Sequence, residues 1–176
     1  MDAKELNALV HDREAAFYDD RFLISYDSRI GRDVERDLRR VTGGAVRSRR
    51  ALDLACGTGY AAIGLAAAHL ADEVHASDLS MKMLERCRDN ARGARAAVRL
   101  ALSDAERLPY ADDSFDLVVA RGALHHVPSP LDALKEIRRV LEPGGVAIVL
   151  AEPTAPGERQ VAAVVGTAYR ALNAWR

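Results

Sequence analysis

The feature that most constrains this chain is a change of rhythm at Ala51. From there, short apolar runs alternate with amphipathic stretches of helical period. The runs predict strands over residues 51–54, 73–77, 97–102, 115–120 and 146–150, with helices over 60–70, 80–92 and 130–141 between them. Ser80 suits an N-cap, Pro130 suits the opening of a helix, and Pro143-Gly144-Gly145 turns the chain into the last strand. Such an alternation calls for a mainly parallel sheet with right-handed crossovers, covered by helices: an α/β fold.

Residues 1–45 lack that rhythm. Leu6, Leu9, Val10 and Phe17 make a loose helical stripe, the aromatic-acidic segment Tyr18-Asp19-Asp20 follows, and a second helix over 30–41 stops at Gly43-Gly44. We expect a helical lid over residues 1–45 and a ligand-binding domain over 46–176. A chain of 176 residues suits one core. With 25 basic and 26 acidic residues the net charge is −1, so no field steers nucleic acid or an anionic membrane. Arg47, Arg49 and Arg50 read as a solvated loop. Cys56 and Cys87 have neither metal-ligand spacing nor disulfide density, which points to a reducing compartment. The charged N-terminus has no apolar core of a signal peptide, and no run reaches a membrane span, so the expectation is a cytoplasmic protein.

The glycine turn Ala55-Cys56-Gly57-Thr58-Gly59 lies between a strand and a helix, where free amides meet the positive end of a helix dipole. Alone it is ambiguous, because Gly57, Gly59 and Ala62 also satisfy a dinucleotide pattern. Asp53 tilts the choice. A carboxylate inside an apolar strand is costly without a partner, and a pyrophosphate has no use for it, whereas an ammonium or sulfonium does. It can also bind loop amides. Asp78 ends the second strand and can accept from ribose hydroxyls or cap the next helix. Asp104 follows the third strand and can accept from an adenine amino group. Three acids at three successive strand ends describe a neutral-to-cationic nucleoside.

In order along the chain, Leu52-Asp53-Leu54-Ala55-Cys56-Gly57-Thr58-Gly59, Asp78, the run from Asp104 to Tyr110, the run from Asp113 to Val119, Ala123-Leu124-His125-His126-Val127 and Leu141-Glu142-Pro143-Gly144-Gly145 resemble the class I S-adenosylmethionine-dependent methyltransferases. The subgroup resembled is the small-molecule type that includes the ubiquinone and menaquinone biosynthesis enzymes. The resemblance implies a Rossmann-like three-layer sandwich, S-adenosyl-L-methionine as cofactor, S-adenosyl-L-homocysteine as product, and a small-molecule acceptor methylated on O, N or C. It implies that Asp53 and the Ala55–Gly59 turn hold the methionine part and that Asp78 holds the ribose. Leu79 and Met83 would lie against the adenine, and Asp104 and Ala105 would read its edge. Arg121 would line the methionine end by its backbone, and Tyr18 and Tyr26 would close over the cofactor.

His125 and His126 follow the fourth strand, where a base would be useful; one of them would otherwise pack or bond the loop, and His126 is slightly favoured. A metal role is disfavoured, because adjacent loop residues point apart and no third ligand is evident. His11, His69 and His75 read as structural, and Cys56 reads as packing. Phe17, Tyr18, Phe22 and Tyr26 hint at an apolar or aromatic acceptor. The family sheet ends in two antiparallel strands, whereas residues 157–176 here read as one more helix. Those strands are therefore expected to be missing, either because the chain is a fragment or because the sheet is completed differently. The competing classes are a methyltransferase of protein or nucleic acid, a non-catalytic S-adenosylmethionine-binding domain, and a nicotinamide-dependent oxidoreductase.

Overall fold

The computed structural model describes residues 1–153 and the strand at 160–166. The N-terminal part folds as α1 (Ala3–Glu14), α2 (Tyr18–Arg21) and α3 (Ile30–Thr42). There follow β1 (Ser48–Leu54), α4 (Tyr60–Ala67), β2 (Ala71–Asp78), α5 (Met81–Gly93), β3 (Arg99–Leu102) and β4 (Phe115–Arg121). A 3-10 turn (Leu124–His126) leads to α6 (Pro130–Val140), β5 (Leu141–Pro153) and β6 (Gln160–Gly166). The sheet order is β3-β2-β1-β4-β5-β6, with the first five strands parallel to their neighbours.

The three layers follow from the two-residue period of the strands. Ala51, Val74, Ala76, Leu117, Val119 and Ile148 face α3, α4 and α5. Leu52, Leu54, Val118, Ala120 and Ala147 face Ile137 and Val140 of α6. Each large side chain so buried stabilises the fold by roughly 1.5–3 kcal/mol. α3 lies very close to α4: a Cβ on Gly64 would stand 2.2 Å from Val34 Cγ2. Ser80 caps α5 by accepting from the Met83 amide at 3.1 Å, as its position predicts.

Two expectations are corrected. Residues 160–166 form a strand antiparallel to β5, not a helix, with Ala147 opposite Val165 and Val149 opposite Ala163. An antiparallel strand is therefore present. Val161, Val164 and Val165 are β-branched and favour extended backbone, and the edge of β5 offers unpaired amides and carbonyls. The rest of that expected helix lies outside the described residues. Secondly, Arg49 and Arg50 belong to β1, whose amides there donate to the Asp116 carboxylate at 2.8 and 3.0 Å. Arg47 pairs with Asp72 and Arg49 with Glu142. The helix expected from Leu6, Leu9 and Val10 is present as α1, with these residues and Phe17 exposed and no residue of α1 buried. α1 carries its own capping box, Asp2 with Glu5, and is attached to the rest by polar contacts. No helix among the described residues is long and apolar enough to cross a membrane.

Candidate active site

The strand order reverses between β1 and β4, which leaves a crevice at the carboxyl ends of the strands. Here that crevice is a cleft lined by the ends of β1, β2 and β4 and by the N-terminal segment. The glycine turn forms part of its wall. Ala55, Gly57 and Gly59 all have positive φ, at 50°, 54° and 97°. Gly59 has no room for a side chain, since its Cβ would lie 2.5 Å from Cys87 Sγ. A Cβ on Gly57 would meet nothing within 4 Å, so that glycine faces open space. The Cys87 thiol and burial hold the Cys56 thiol well above its usual range, which keeps it protonated and inert, in agreement with a packing role.

The three acids come together around this cleft. Asp53 is 2% exposed, and its Oδ2 accepts from the Ala62 amide at 2.8 Å in the first turn of α4. Burial pushes its pKa up to about 7; the Ala62 bond opposes this, the Asp78 charge adds to it, and the Arg121 charge opposes it. The Asp78 carboxylate accepts from the amides of Gly57 and Ser80, each at 2.8 Å, tying the turn to the start of α5. Burial raises its pKa against those two bonds. Asp104 accepts from the Glu106 amide at 2.9 Å and from Lys4 Nζ at 2.5 Å. Each oxygen has two lone pairs, so these carboxylates can take further donors from a ligand.

The N-terminal segment covers the cleft. Lys4 bonds Glu106 as well as Asp104, and those two partners hold it protonated. Asp12 accepts from Ser80 Oγ and from the Lys82 amide at 2.5 and 3.1 Å. Buried Asp19 receives Arg86 at 2.9 Å and Asn90 at 3.0 Å. Tyr26 donates to Thr58 Oγ1 at 2.8 Å, bracing the glycine turn. Arg121 lies over the Tyr60 ring at 4.2 Å.

After β4 the chain makes the 3-10 turn around Glu152 of β5. Glu152 accepts from the amides of Ala123, Leu124 and His125 at 2.7, 2.9 and 3.1 Å, and its Oε2 lies 2.8 Å from His125 Nδ1. Burial works against its charge, yet the His125 ring and the amides keep its pKa below the usual carboxylate value. His126 lines the cleft and stands edge-on to His11 at 4.8 Å. Desolvation, then the neighbouring His125 and His11, push its pKa down to about 4. The two histidines thus separate: His125 serves the turn and His126 faces the cleft.

Of the residues expected at the site, Tyr18, Asp53, Ala55, Cys56, Gly57, Thr58, Asp78, Leu79, Asp104, Ala105, Arg121 and His126 line the cleft. Gly59, Tyr26, Met83 and His125 do not. Met83 is fully buried with Leu84 and Cys87 on the inner face of α5, away from the cleft lining, whereas the expectation had it against the adenine. Of the aromatics read as hinting at the acceptor, Tyr18 lines the cleft, whereas Phe17 and Phe22 are exposed at 71% and 52%. Lys4, Asn7, His11, Ser77 and Ser103 line the cleft without having been expected there. The partners of Lys4 lie about a hundred residues away, so no local pattern marks it.

The methyltransferase domain family matches residues 52–149, more than half of the chain. The chain belongs to that family. This methyltransferase domain is 42% identical over 114 residues to a malonyl-[acyl-carrier protein] O-methyltransferase of Halorhodospira halophila, covering 65% of the chain and 38% of that protein. It is 40% identical over 124 residues to a demethylmenaquinone methyltransferase of Staphylococcus aureus, covering 69% and 51%. The chain thus spans about half, or less, of the length of these curated relatives. A Haemonchus contortus phosphoethanolamine N-methyltransferase, solved with S-adenosylhomocysteine, superposes with a TM-score of 0.60 at 28% identity, covering 68% of this chain and 28% of that one.

Proposed function

We propose that this domain binds S-adenosyl-L-methionine and transfers its methyl group to an O, N or C atom of a small molecule. The observation that carries the reading is the convergence of Asp53, Asp78 and Asp104 on one cleft beside Gly57. The residues present fit the cofactor. Ser77 Oγ and Ser103 Oγ line the cleft, are buried, and have no protein partner, so they have hydrogen-bonding capacity to offer. The open side of Gly57 lets a ligand lie against the backbone.

In this reading Asp78 accepts from the ribose hydroxyls, Leu79 packs on the adenine, and Asp104 with Ala105 reads its edge. Asp53, the glycine turn and the Arg121 backbone hold the amino-acid end. When bound, the cofactor supplies a methyl activated by a sulfonium, and it leaves as S-adenosylhomocysteine. The chain's part is to align the acceptor and exclude water, which can supply roughly 7–11 kcal/mol. The N-terminal segment with Tyr18 excludes the water. His126 lines the cleft and is neutral at pH 7, and the proton that the acceptor loses is taken up there; with its pKa held down to about 4 it is a weak base, so it suits an acceptor that gives up its proton readily. The two relatives act, by their names, on a malonyl group of acyl-carrier protein and on demethylmenaquinone. A net charge of −1 favours a small acceptor over nucleic acid, and free, buried Cys56 and Cys87 suit the cytoplasm.

Titration calorimetry with S-adenosylmethionine and with NAD tests the reading. Binding of the first and not the second is expected. The reverse result would overturn it. A screen for S-adenosylhomocysteine release over candidate acceptors then identifies the substrate.

A further inference from the structure

Glu152 gathers three successive amides and one imidazole nitrogen on a single carboxylate, 27 to 29 residues away in the chain. A 3-10 turn this short cannot satisfy its own first amides, so their direction depends on an acceptor from outside. Glu152 is that acceptor, supplied by the neighbouring strand β5. The turn ends on His126, whose amide donates to the Ala123 carbonyl at 3.1 Å and whose carbonyl accepts from Asn7 at 3.1 Å. The His126 ring is set between His125, at 3.9 Å, and His11 of α1. Both ends of the placement of His126, its backbone and one flank of its ring, therefore lead back to Glu152.

The carboxylate also decides which nitrogen of His125 carries the proton. An anion at Nδ1 receives an N–H there and leaves Nε2 bare in the neutral ring. The charged and titratable groups around His126 are His11 and Glu14 from α1, His125 from its own turn and Glu152 from β5. Glu152 offsets the repulsion that two neighbouring imidazoles impose on any proton that His126 accepts.

We propose that Glu152 is a positioning residue for methyl transfer, fixing the turn that presents His126 to the cleft and locking His125 as its Nδ1–H tautomer. The proposal rests on the reading of His126 as proton acceptor given above. Glu152 itself touches neither cofactor nor acceptor and exchanges no atom.

The test uses the full chain labelled with 15N-histidine, with resonances assigned by His125→Asn and His126→Asn. Long-range proton–nitrogen spectra at about pH 7.5 report which ring nitrogen is protonated. The wild type is expected to show His125 protonated at Nδ1. In Glu152→Gln the carboxamide can still accept from backbone amides but is no anion. His125 is then expected to average between tautomers, and the amide resonances of residues 123–126 to move. S-adenosylhomocysteine affinity is expected to hold within about twofold, while the transfer rate with an accepted substrate falls about tenfold to a hundredfold. A wild-type His125 protonated at Nε2 overturns the proposal, and this result needs no variant to fold. So does a Glu152→Gln protein with unchanged His125 and turn signals, or one that loses affinity and melting temperature while the tautomer stays put. Failure of the wild type to bind S-adenosylhomocysteine would strike the proposed function instead, leaving the tautomer result to stand or fall alone.

Discussion

Lys4 Nζ lies 2.5 Å from Asp104 Oδ2, so the first helix is tied across the cleft to the carboxylate assigned to the adenine edge. The same ammonium reaches Glu106 Oε2 at 2.6 Å, and the three side chains are 33%, 28% and 13% exposed. Partly exposed ion pairs contribute about 0.2–1 kcal/mol each. α1 buries no side chain, so these pairs act with the Asp12 bonds to Ser80 and Lys82 and the Asn7 bond to His126 in holding it down. Lys4→Met is expected to speed hydrogen exchange in α1 by about threefold to tenfold and to leave the exchange of β1 and β4 unchanged. Unchanged exchange in α1 would refute the latch.

Asp78 joins two elements as well as lining the cleft. Its oxygens receive the Gly57 and Ser80 amides, both donors. In Asp78→Asn the new NH2 must oppose one of them, so the turn loses a bond while the ligand loses an anionic acceptor. S-adenosylhomocysteine binding is expected to weaken by about 1–3 kcal/mol, with a lower melting temperature. Calorimetry and thermal unfolding measure the two effects. Unchanged affinity would remove Asp78 from the ribose site.

What was legible in the sequence was local. Buried parallel strands write their apolar runs into consecutive residues, and a carboxylate such as Asp53 in an apolar strand advertises its cost. Ser80 and Pro130 marked their helix starts because capping acts within one turn. What was hidden depends on the assembled sheet. Glu152 meets His125 only because β5 lies beside β4 in register, Arg121 opposite Leu150. Met83 stands at the lip of a ligand turn in sequence, but the phase of α5 turns it inward with Cys87. The strand at 160–166 was misread because alanines favour a helix, whereas the open edge of β5 outweighs that preference.

Gly64 provides a test of the packing that holds the site in place. In an exposed helix Gly→Ala stabilises by about 1 kcal/mol. Here the new methyl would sit 2.2 Å from Val34 Cγ2 and 2.5 Å from Val34 Cβ, on a short side chain that cannot swing away. α3 would have to retreat from α4, and overpacking of this kind costs about 1–3 kcal/mol. A net loss of about 1–2 kcal/mol in urea unfolding is expected. A gain in stability would mean that the two helices are not in such close contact.

The pH dependence of ligand binding follows from Asp53. Its folded pKa of about 7 is above the usual carboxylate value, so between about pH 4 and 7 the folded chain holds a proton that the unfolded chain has lost. This contribution favours the folded state below that window and is lost as pH rises through 7. A cation near Asp53 favours the ionised form and so must displace the proton. Affinity for S-adenosylhomocysteine, which carries an ammonium, should therefore rise from about pH 5.5 to 7.5 and then level off. Calorimetry near pH 6.5 in two buffers of different ionisation enthalpy should register proton release on binding. In Asp53→Asn both the slope and the release should shrink to the part that Asp78, whose pKa burial also raises, contributes. An affinity that is flat or falls over that range in the wild type would place the ligand's positive charge away from Asp53.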